Sequence, residues 1–142
     1  LGVSESKKII LIHFIKNIES KVSSSELLKI SLRRAKQSEL LAKHFNLKED
    51  KNKLFIIGLF SLINIILKQS MNSILNSISL NEEISDALLG EKNRLSKVLE
   101  VIILIENGQI NKINNIIEKY NISINIINKV YLDSIDWVNN IW

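Results

Sequence analysis

The chain has 142 residues, of which 46% are hydrophobic and 24% charged, as expected for one globular domain with a real core. It has no cysteine, which excludes a disulfide framework and removes the commonest structural zinc ligand. The net charge of +4 is a mild excess, and a lysine-rich solvated surface explains it more simply than a nucleic-acid face does.

Two helices are predicted in the first third of the chain. Ser4 can cap the first helix, whose apolar stripe covers residues 9–18. Charges flank this short stripe on both sides, so it does not resemble a signal peptide. Ser23 and Glu26 have capping-box spacing, which predicts a long second helix over residues 24–45. Gln37 is not among its inward positions and is expected away from the core.

The middle of the chain is its most apolar part. After a polar loop over residues 48–53, in which Asp50 is a plausible helix cap, residues 54–67 contain only two polar side chains, Ser61 and Asn64. A bilayer-spanning helix needs about 20 apolar residues, so this shorter run predicts one helix buried among other helices. Its apolar residues lie on every face, and neighbours must therefore cover every face.

The remaining chain divides into shorter predicted helices. They cover residues 71–78, 79–89, 93–108 and 109–120, and a final helix that Ser123 caps. Ile78 is expected to face inward, and Ser79 to cap the second of these helices through its spacing from Glu82. The prediction is an all-α protein, a compact bundle of about seven to eight helices in a single domain over residues 1–142.

Several segments carry a resemblance to a known family. Leu32–Ala42 (LRRAKQSELLA) and Leu54–Ile63 (LFIIGLFSLI) resemble the HDOD domain (HD-related output domain), in the version found behind EAL-type cyclic-di-GMP phosphodiesterase domains of bacterial signalling proteins. Leu80–Gly90, Leu99–Gly108 and the final helix with Trp137 are similar to later parts of that family, in the same order. The likeness begins well inside the domain, so the early helices of the family are expected to be absent from this chain.

The resemblance bears directly on chemistry. In catalytic HD proteins, one histidine and a separate His-Asp pair bind a metal that activates water for phosphate-ester hydrolysis. The resemblance aligns Ser61 and Leu62 with the His-Asp pair and places Ile30 near the first histidine. Serine is a poor metal ligand, and the other two side chains have no ligating atom. The resemblance therefore implies a regulatory or interaction module with no hydrolase activity, metal or cofactor.

Polar residues of the long second helix are the remaining candidates for interaction. Lys36 and Glu39 have i,i+3 spacing, for which a solvated ion pair is the simplest interpretation. Alternatively, Arg34 and Glu39 line the former metal cleft and bind a partner or an anion. The chain departs from the family pattern at Gln37, Ser38 and Asn64, where the family often has an aromatic residue, a cysteine and an aspartate.

Other conspicuous residues have structural interpretations. Gly58 in a helix costs about 1 kcal/mol relative to alanine, so close approach of a neighbouring helix is expected there. Ser61 is expected to hydrogen-bond the carbonyl four residues earlier. His13 and His44 are expected to have structural or surface roles, and the two tryptophans, Trp137 and Trp142, core or capping roles.

The expected function is signal transduction in a cytoplasmic bacterial protein, without catalysis and without contact with a membrane. The expected partner is another domain of the parent protein or another signalling protein, and a homodimer is a further way to cover apolar surface. One rival interpretation is a divergent HD-type metal-dependent phosphohydrolase. The second rival is a nucleic-acid-binding domain, not favoured here, whose affinity would fall steeply with salt. It would use Arg33, Arg34, Lys36, Lys43 and Lys48.

Overall fold

The structure, a computed structural model, describes residues 9, 10, 12, 13, 17 and 25–141. These residues contain α-helices and short 3-10 turns and no strand, which confirms the all-α prediction. The helices from residue 25 onward are α1 (Ser25–Leu41), α2 (Lys51–Phe60), α3 (Ile63–Leu67), α4 (Met71–Ser77), α5 (Glu82–Leu88), α6 (Ser96–Glu106), α7 (Ile110–Lys119) and α8 (Ile124–Ile141). The described residues between 9 and 17 are helical, whereas Ser4, Ile18, the predicted cap Ser23 and Trp142 lie outside the described residues.

The core is built around α2. Every residue from Leu54 to Phe60 is buried, as its lack of a polar face predicts. α1 packs along α2 and also contacts α8, while α5 and α6 contact α2 as well. The ring of Trp137 on α8 meets that of Phe55 edge-on, with centroids 6.1 Å apart, which confirms the predicted core role of this tryptophan.

The prediction of one central helix over residues 54–67 is wrong in two respects. The helix begins earlier, at Lys51, because the predicted loop forms a 3-10 turn over Lys48–Asp50 that leads directly into it. The helix also ends at Phe60, and a new helix starts at Ile63. Asp50 does occupy the N-cap position, but its side chain makes no capping hydrogen bond.

Three smaller predictions also need correction. Asn81, and not Ser79, caps α5, because its side-chain oxygen accepts a hydrogen bond from the Glu83 N–H at 2.8 Å. Ile78 follows the end of α4 in extended backbone and is 37% exposed, so it does not face inward. Gln37, expected away from the core, is buried on α1. The predicted Ser123 cap is confirmed by a 3.3 Å bond from the N–H of Ile126.

A surface cluster joins the starts of α2 and α5. The Arg94 guanidinium donates to both carboxylate oxygens of Asp50, at 2.6 and 3.0 Å, and to both of Glu83, at 2.8 and 3.0 Å. Lys53 lies 3.7 Å from Asp50 and 3.8 Å from Glu83. The hydrogen bonds from Arg94 lower the pKa of the Asp50 carboxyl, against a smaller opposing effect of burial. These four residues are called the surface cluster below.

Among the described residues, no single helix has both the length and the apolar character needed to cross a bilayer. The segments Lys48–Leu67 and Met71–Ser77 meet the criterion only when taken together, and they are bent by 114° relative to each other.

Candidate functional site

Two helices, α1 and α2, approach each other closely at Gly58. A Cβ atom placed on this residue would lie 2.5 Å from the backbone oxygen of Arg34 and 2.7 Å from the backbone nitrogen of Ala35. Only glycine allows α1 and α2 to come this near, which confirms the expectation drawn from its presence in a helix. The crossing places the side chain of Arg34 beside the end of α2.

Arg34 connects three elements through one buried guanidinium. Its Nε donates to Glu106 Oε2 at 2.9 Å and its Nη2 to Oε1 at 2.5 Å, a two-pronged contact with the last residue of α6. Its Nη1 donates to Ser61 Oγ at 3.1 Å. The side chains of Arg34 and Glu106 are 10% and 19% exposed, so these charges are held largely out of water. Such forked, charge-assisted contacts fix orientation as well as adding energy.

Ser61 lies at the break between α2 and α3, and its hydroxyl makes two contacts there. It accepts from Arg34 and donates to the backbone oxygen of Gly58 at 2.7 Å, three residues earlier and not four as predicted. The backbone N–H of Ser61 also reaches Gly58, at 3.3 Å, which is the tightened turn that ends α2.

Arg33 reaches the same carboxylate from the next position of α1. Its Nη2 donates to Glu106 Oε2, and its guanidinium carbon lies 5.3 Å from the ring centre of Tyr131 on α8. Its side chain is 15% exposed, and its Nε is buried with no hydrogen-bond partner among the described residues. The buried cluster, as we call it below, is therefore Arg33, Arg34, Ser61 and Glu106.

The other predicted site residues lie apart from this cluster's hydrogen bonds. Ile30 lines a groove against α8, and Leu62 is half-buried against the core. Lys36 and Glu39 form the predicted ion pair, at 2.8 Å, but their side chains are only 23% and 12% exposed, so the pair is not a solvated one. The Lys36 ammonium also lies 5.3 Å from the ring centre of Trp137.

The described residues offer little to a metal ion. Within them there is no group of three or more His, Cys, Asp or Glu side chains that could hold one. His13 is exposed, and His44 is half-buried, with its pKa lowered by burial and by neighbouring Lys43. Chemically, the arginine at Ser61 has only donors and a permanent positive charge, so it suits an anion and repels a cation.

Glu106 is the member of the buried cluster that sequence reasoning missed. A signal was present in its position, because it ends an otherwise strongly apolar helix just before Asn107 and Gly108. A carboxylate at a helix C-terminus opposes the helix dipole, so a compensating cation is expected nearby. Nothing in the sequence indicated that the cation would come from α1.

Comparison with known proteins gives two relatives. YuxH of Bacillus subtilis is 33% identical over 146 aligned positions, which cover 99% of this chain and 34% of YuxH. Cyclic di-GMP phosphodiesterase CdgJ of Vibrio cholerae is 29% identical over 76 positions, or 54% of this chain and 18% of CdgJ. The chain thus spans about a third of the length of the first relative and less of the second. No family model and no solved structure matches.

Proposed function

We propose that this chain is a non-catalytic signal-transduction module of the HDOD type, from a cytoplasmic bacterial protein in which it is coupled to an EAL-type cyclic-di-GMP domain. The ordered motifs over Leu32–Gly108 support this proposal. So does the similarity to CdgJ, which is named as a cyclic di-GMP phosphodiesterase. The all-helical fold is the architecture that the resemblance implies.

The observation that carries the proposal is the bond between Arg34 and Ser61. Ser61 is aligned with a metal-binding histidine of the HD hydrolases, and here its hydroxyl accepts from a guanidinium at 3.1 Å. A divalent metal at this position would meet a fixed positive charge in a poorly hydrated place, where repulsion between cations is strong. The site therefore favours a structural tie over metal-assisted hydrolysis.

The contacts of Arg34 with Ser61 and Glu106 also suggest how a change of state would pass through the module. Arg34 on α1 holds the α2–α3 junction through Ser61 and the end of α6 through Glu106. A displacement of any one of these elements strains the contacts to the other two. We propose that the partner is another domain of the parent protein, whose movement shifts this connected set.

Most of the basic residues that nucleic-acid binding would require are poorly exposed and already paired. The side chains of Arg33, Arg34 and Lys36 are 15%, 10% and 23% exposed and are paired with carboxylates. Only Lys43 and Lys48 of the set are exposed. Contacts with a phosphate backbone need cations at the surface.

Hydrolysis and metal binding test the absence of catalysis. The purified chain is titrated calorimetrically with Mg²⁺, Mn²⁺ and Fe²⁺, and incubated with cyclic di-GMP and with bis(p-nitrophenyl) phosphate. We expect no saturable metal binding and no turnover above the blank, with the same result for Ser61→Ala. Turnover that a chelator abolishes would instead establish the phosphohydrolase rival.

Coupling is tested in the full-length parent protein. Glu106→Gln weakens the tie and is expected to change its cyclic di-GMP hydrolysis rate by about fivefold or more, the lower end of ordinary coupling energies. Glu100→Gln is the matched control on the same helix, because that residue pairs only with Lys97 at the surface in the contacts described, at 3.1 Å. Equal rates for both variants and the parent protein would contradict coupling through this cluster.

A further inference from the structure

Arg33 has one N–H donor, at Nε, that no described protein atom accepts. Arginine carries five N–H donors and stays protonated in proteins, so it cannot relieve a poor environment by losing its charge. Here the Nε atom is buried and has no acceptor among the described protein atoms. A buried donor without an acceptor is unfavourable, so an acceptor is expected at this position.

The net charge of the buried cluster also favours an additional acceptor near Arg33. Two guanidinium groups share one carboxylate, that of Glu106, so the cluster carries one positive charge in excess. The three side chains are 15%, 10% and 19% exposed, and water can compensate only a small part of this excess. Poorly hydrated charge is costly unless it is paired, which favours a second anion near Arg33.

A groove of suitable size adjoins Arg33. It lies between α1 and α8 and has a volume of about 160 Å³, room for about five waters at about 30 Å³ each. Besides Arg33, it is lined by Glu26, Lys29, Ile30, Ile135, Val138 and Asn139.

The lining favours a small anion. Lys29 supplies an ammonium group and Asn139 an amide, while Ile30, Ile135 and Val138 form apolar walls. Glu26 is the one acidic residue of the lining; its side chain is 81% exposed and lies 3.7 Å from Lys29, so solvent and that lysine screen its charge.

We propose that this groove binds a phosphate-type oxyanion through Arg33, with Lys29 and Asn139 as further donors. A tetrahedral oxyanion can accept from two N–H groups of one guanidinium at once, the fork geometry that arginine offers to phosphate. Because Glu106 binds the same guanidinium, the bound anion competes with it. Occupancy of the groove therefore loosens the connection between α1 and α6. This inference does not depend on the proposed function.

Calorimetric titration of the chain with inorganic phosphate, at constant ionic strength set by chloride, is the direct test. We expect saturable binding and a rise in melting temperature that the matched chloride solution does not produce. Absence of both effects would overturn the proposal, because it would mean that no oxyanion binds at Arg33.

Two variants of the cluster should act in opposite directions. Arg33→Gln leaves Glu106 paired with Arg34 and is expected to weaken phosphate binding about tenfold or more, the loss of a charge-assisted contact. Glu106→Gln removes the competing charge and is expected to tighten binding severalfold. Weaker binding in Glu106→Gln, with the native circular dichroism retained, would contradict the competition.

Arg94→Gln is the control for both variants. It removes an arginine of the surface cluster. Neither Arg94 nor its partners Asp50 and Glu83 line the groove, so phosphate affinity should be unchanged. An equal loss of affinity in Arg94→Gln and Arg33→Gln would show nonspecific attraction to positive charge, and would overturn the site.

The source of the oxyanion is resolved by comparing probes. Phenyl phosphate carries an apolar ester group that can contact Ile30, Ile135 and Val138. Tighter binding of phenyl phosphate than of inorganic phosphate would identify a phosphate monoester as the ligand. Equal affinities would identify the free ion, and failure of both probes to bind would reject the proposal.

Discussion

Arg34 and Arg94 make the same kind of contact in different surroundings. Each guanidinium bonds both oxygens of a carboxylate from a distant part of the chain. The Arg34 side chain, however, is 10% exposed, whereas that of Arg94 is 48% exposed. In the buried cluster a lost partner leaves an uncompensated charge with little water. In the surface cluster water reaches Arg94 and Glu83, and Lys53 remains beside the less exposed Asp50. The same kind of arginine–carboxylate contact should therefore contribute unequally to stability in the two clusters.

The largest expected effect comes from removing the shared carboxylate of the buried cluster. Glu106→Ala leaves two arginines without their partner in a poorly hydrated place, and should lower the free energy of unfolding by about 3 kcal/mol. Urea denaturation followed by circular dichroism measures this loss. Glu100→Ala, on the same helix but with a half-exposed side chain, should cost less than about 1 kcal/mol. Equal losses would remove the distinction between buried and exposed pairs.

A second test displaces the buried cluster without changing its charges. Gly58→Ala places a methyl group 2.5 Å from the Arg34 backbone oxygen and forces α1 away from α2. Overpacking of this kind costs about 1–3 kcal/mol and exceeds the gain of about 1 kcal/mol in helix propensity. Thermal unfolding should show a lower melting temperature. Asn72→Ala, at an exposed position of α4, is the control and should not lower it.

The surface cluster should respond less, and its response should depend on salt. Arg94→Ala is expected to cost about 1 kcal/mol at low ionic strength, because Arg94 and Glu83 are 48% and 37% exposed and Lys53 stays 3.7 and 3.8 Å from the two carboxylates. The cost should shrink in 1 M NaCl, where the screening length is about 3 Å. The cost of Glu106→Ala should change little over the same range. If the stability cost of Arg94→Ala did not change with salt, the two clusters would not differ in how ions screen them.

The smallest effect is a dependence on pH that belongs to the surface cluster. Arg94 lowers the folded-state pKa of Asp50, so this carboxyl contributes stability above its unfolded pKa, near 4, and loses that contribution as pH falls through the lower folded value. The difference in unfolding free energy between the protein and Asp50→Asn should therefore be constant above about pH 5 and shrink below about pH 4. A difference that grows on acidification would contradict this sign.

Local pattern predicted much of the fold, and the physical reasons are visible in particular residues. The apolar run at residues 54–60 required burial on every face, and the glycine within it required a close neighbour. Both requirements follow from residues within one segment, so they could be predicted from that segment alone. The start of α2 at Lys51 was missed because charged residues resemble a loop, although a helix accepts them at an exposed first turn.

The parts that could not be predicted depend on contacts between distant segments. The break after Phe60 accompanies the two hydrogen bonds of Ser61, one of which comes from a residue 27 positions earlier. The burial of Gln37 and the pairing of Arg34 with Glu106 likewise follow from how α1 packs. For the site, sequence singled out Arg34 and Ser61 for separate reasons, and only the structure brings them together.

The packing of α1 against α8 has a consequence for the order in which the protein is made and folds. A ribosome releases α1 and α2 long before α8, and the apolar residues of α2 lack their full covering until then. Contacts between such distant segments slow folding, and exposed apolar surface on a growing chain invites aggregation. The core around α2 should therefore be completed only after α8 has left the ribosome, and until then chaperones that shield nascent polypeptides should bind its apolar surface.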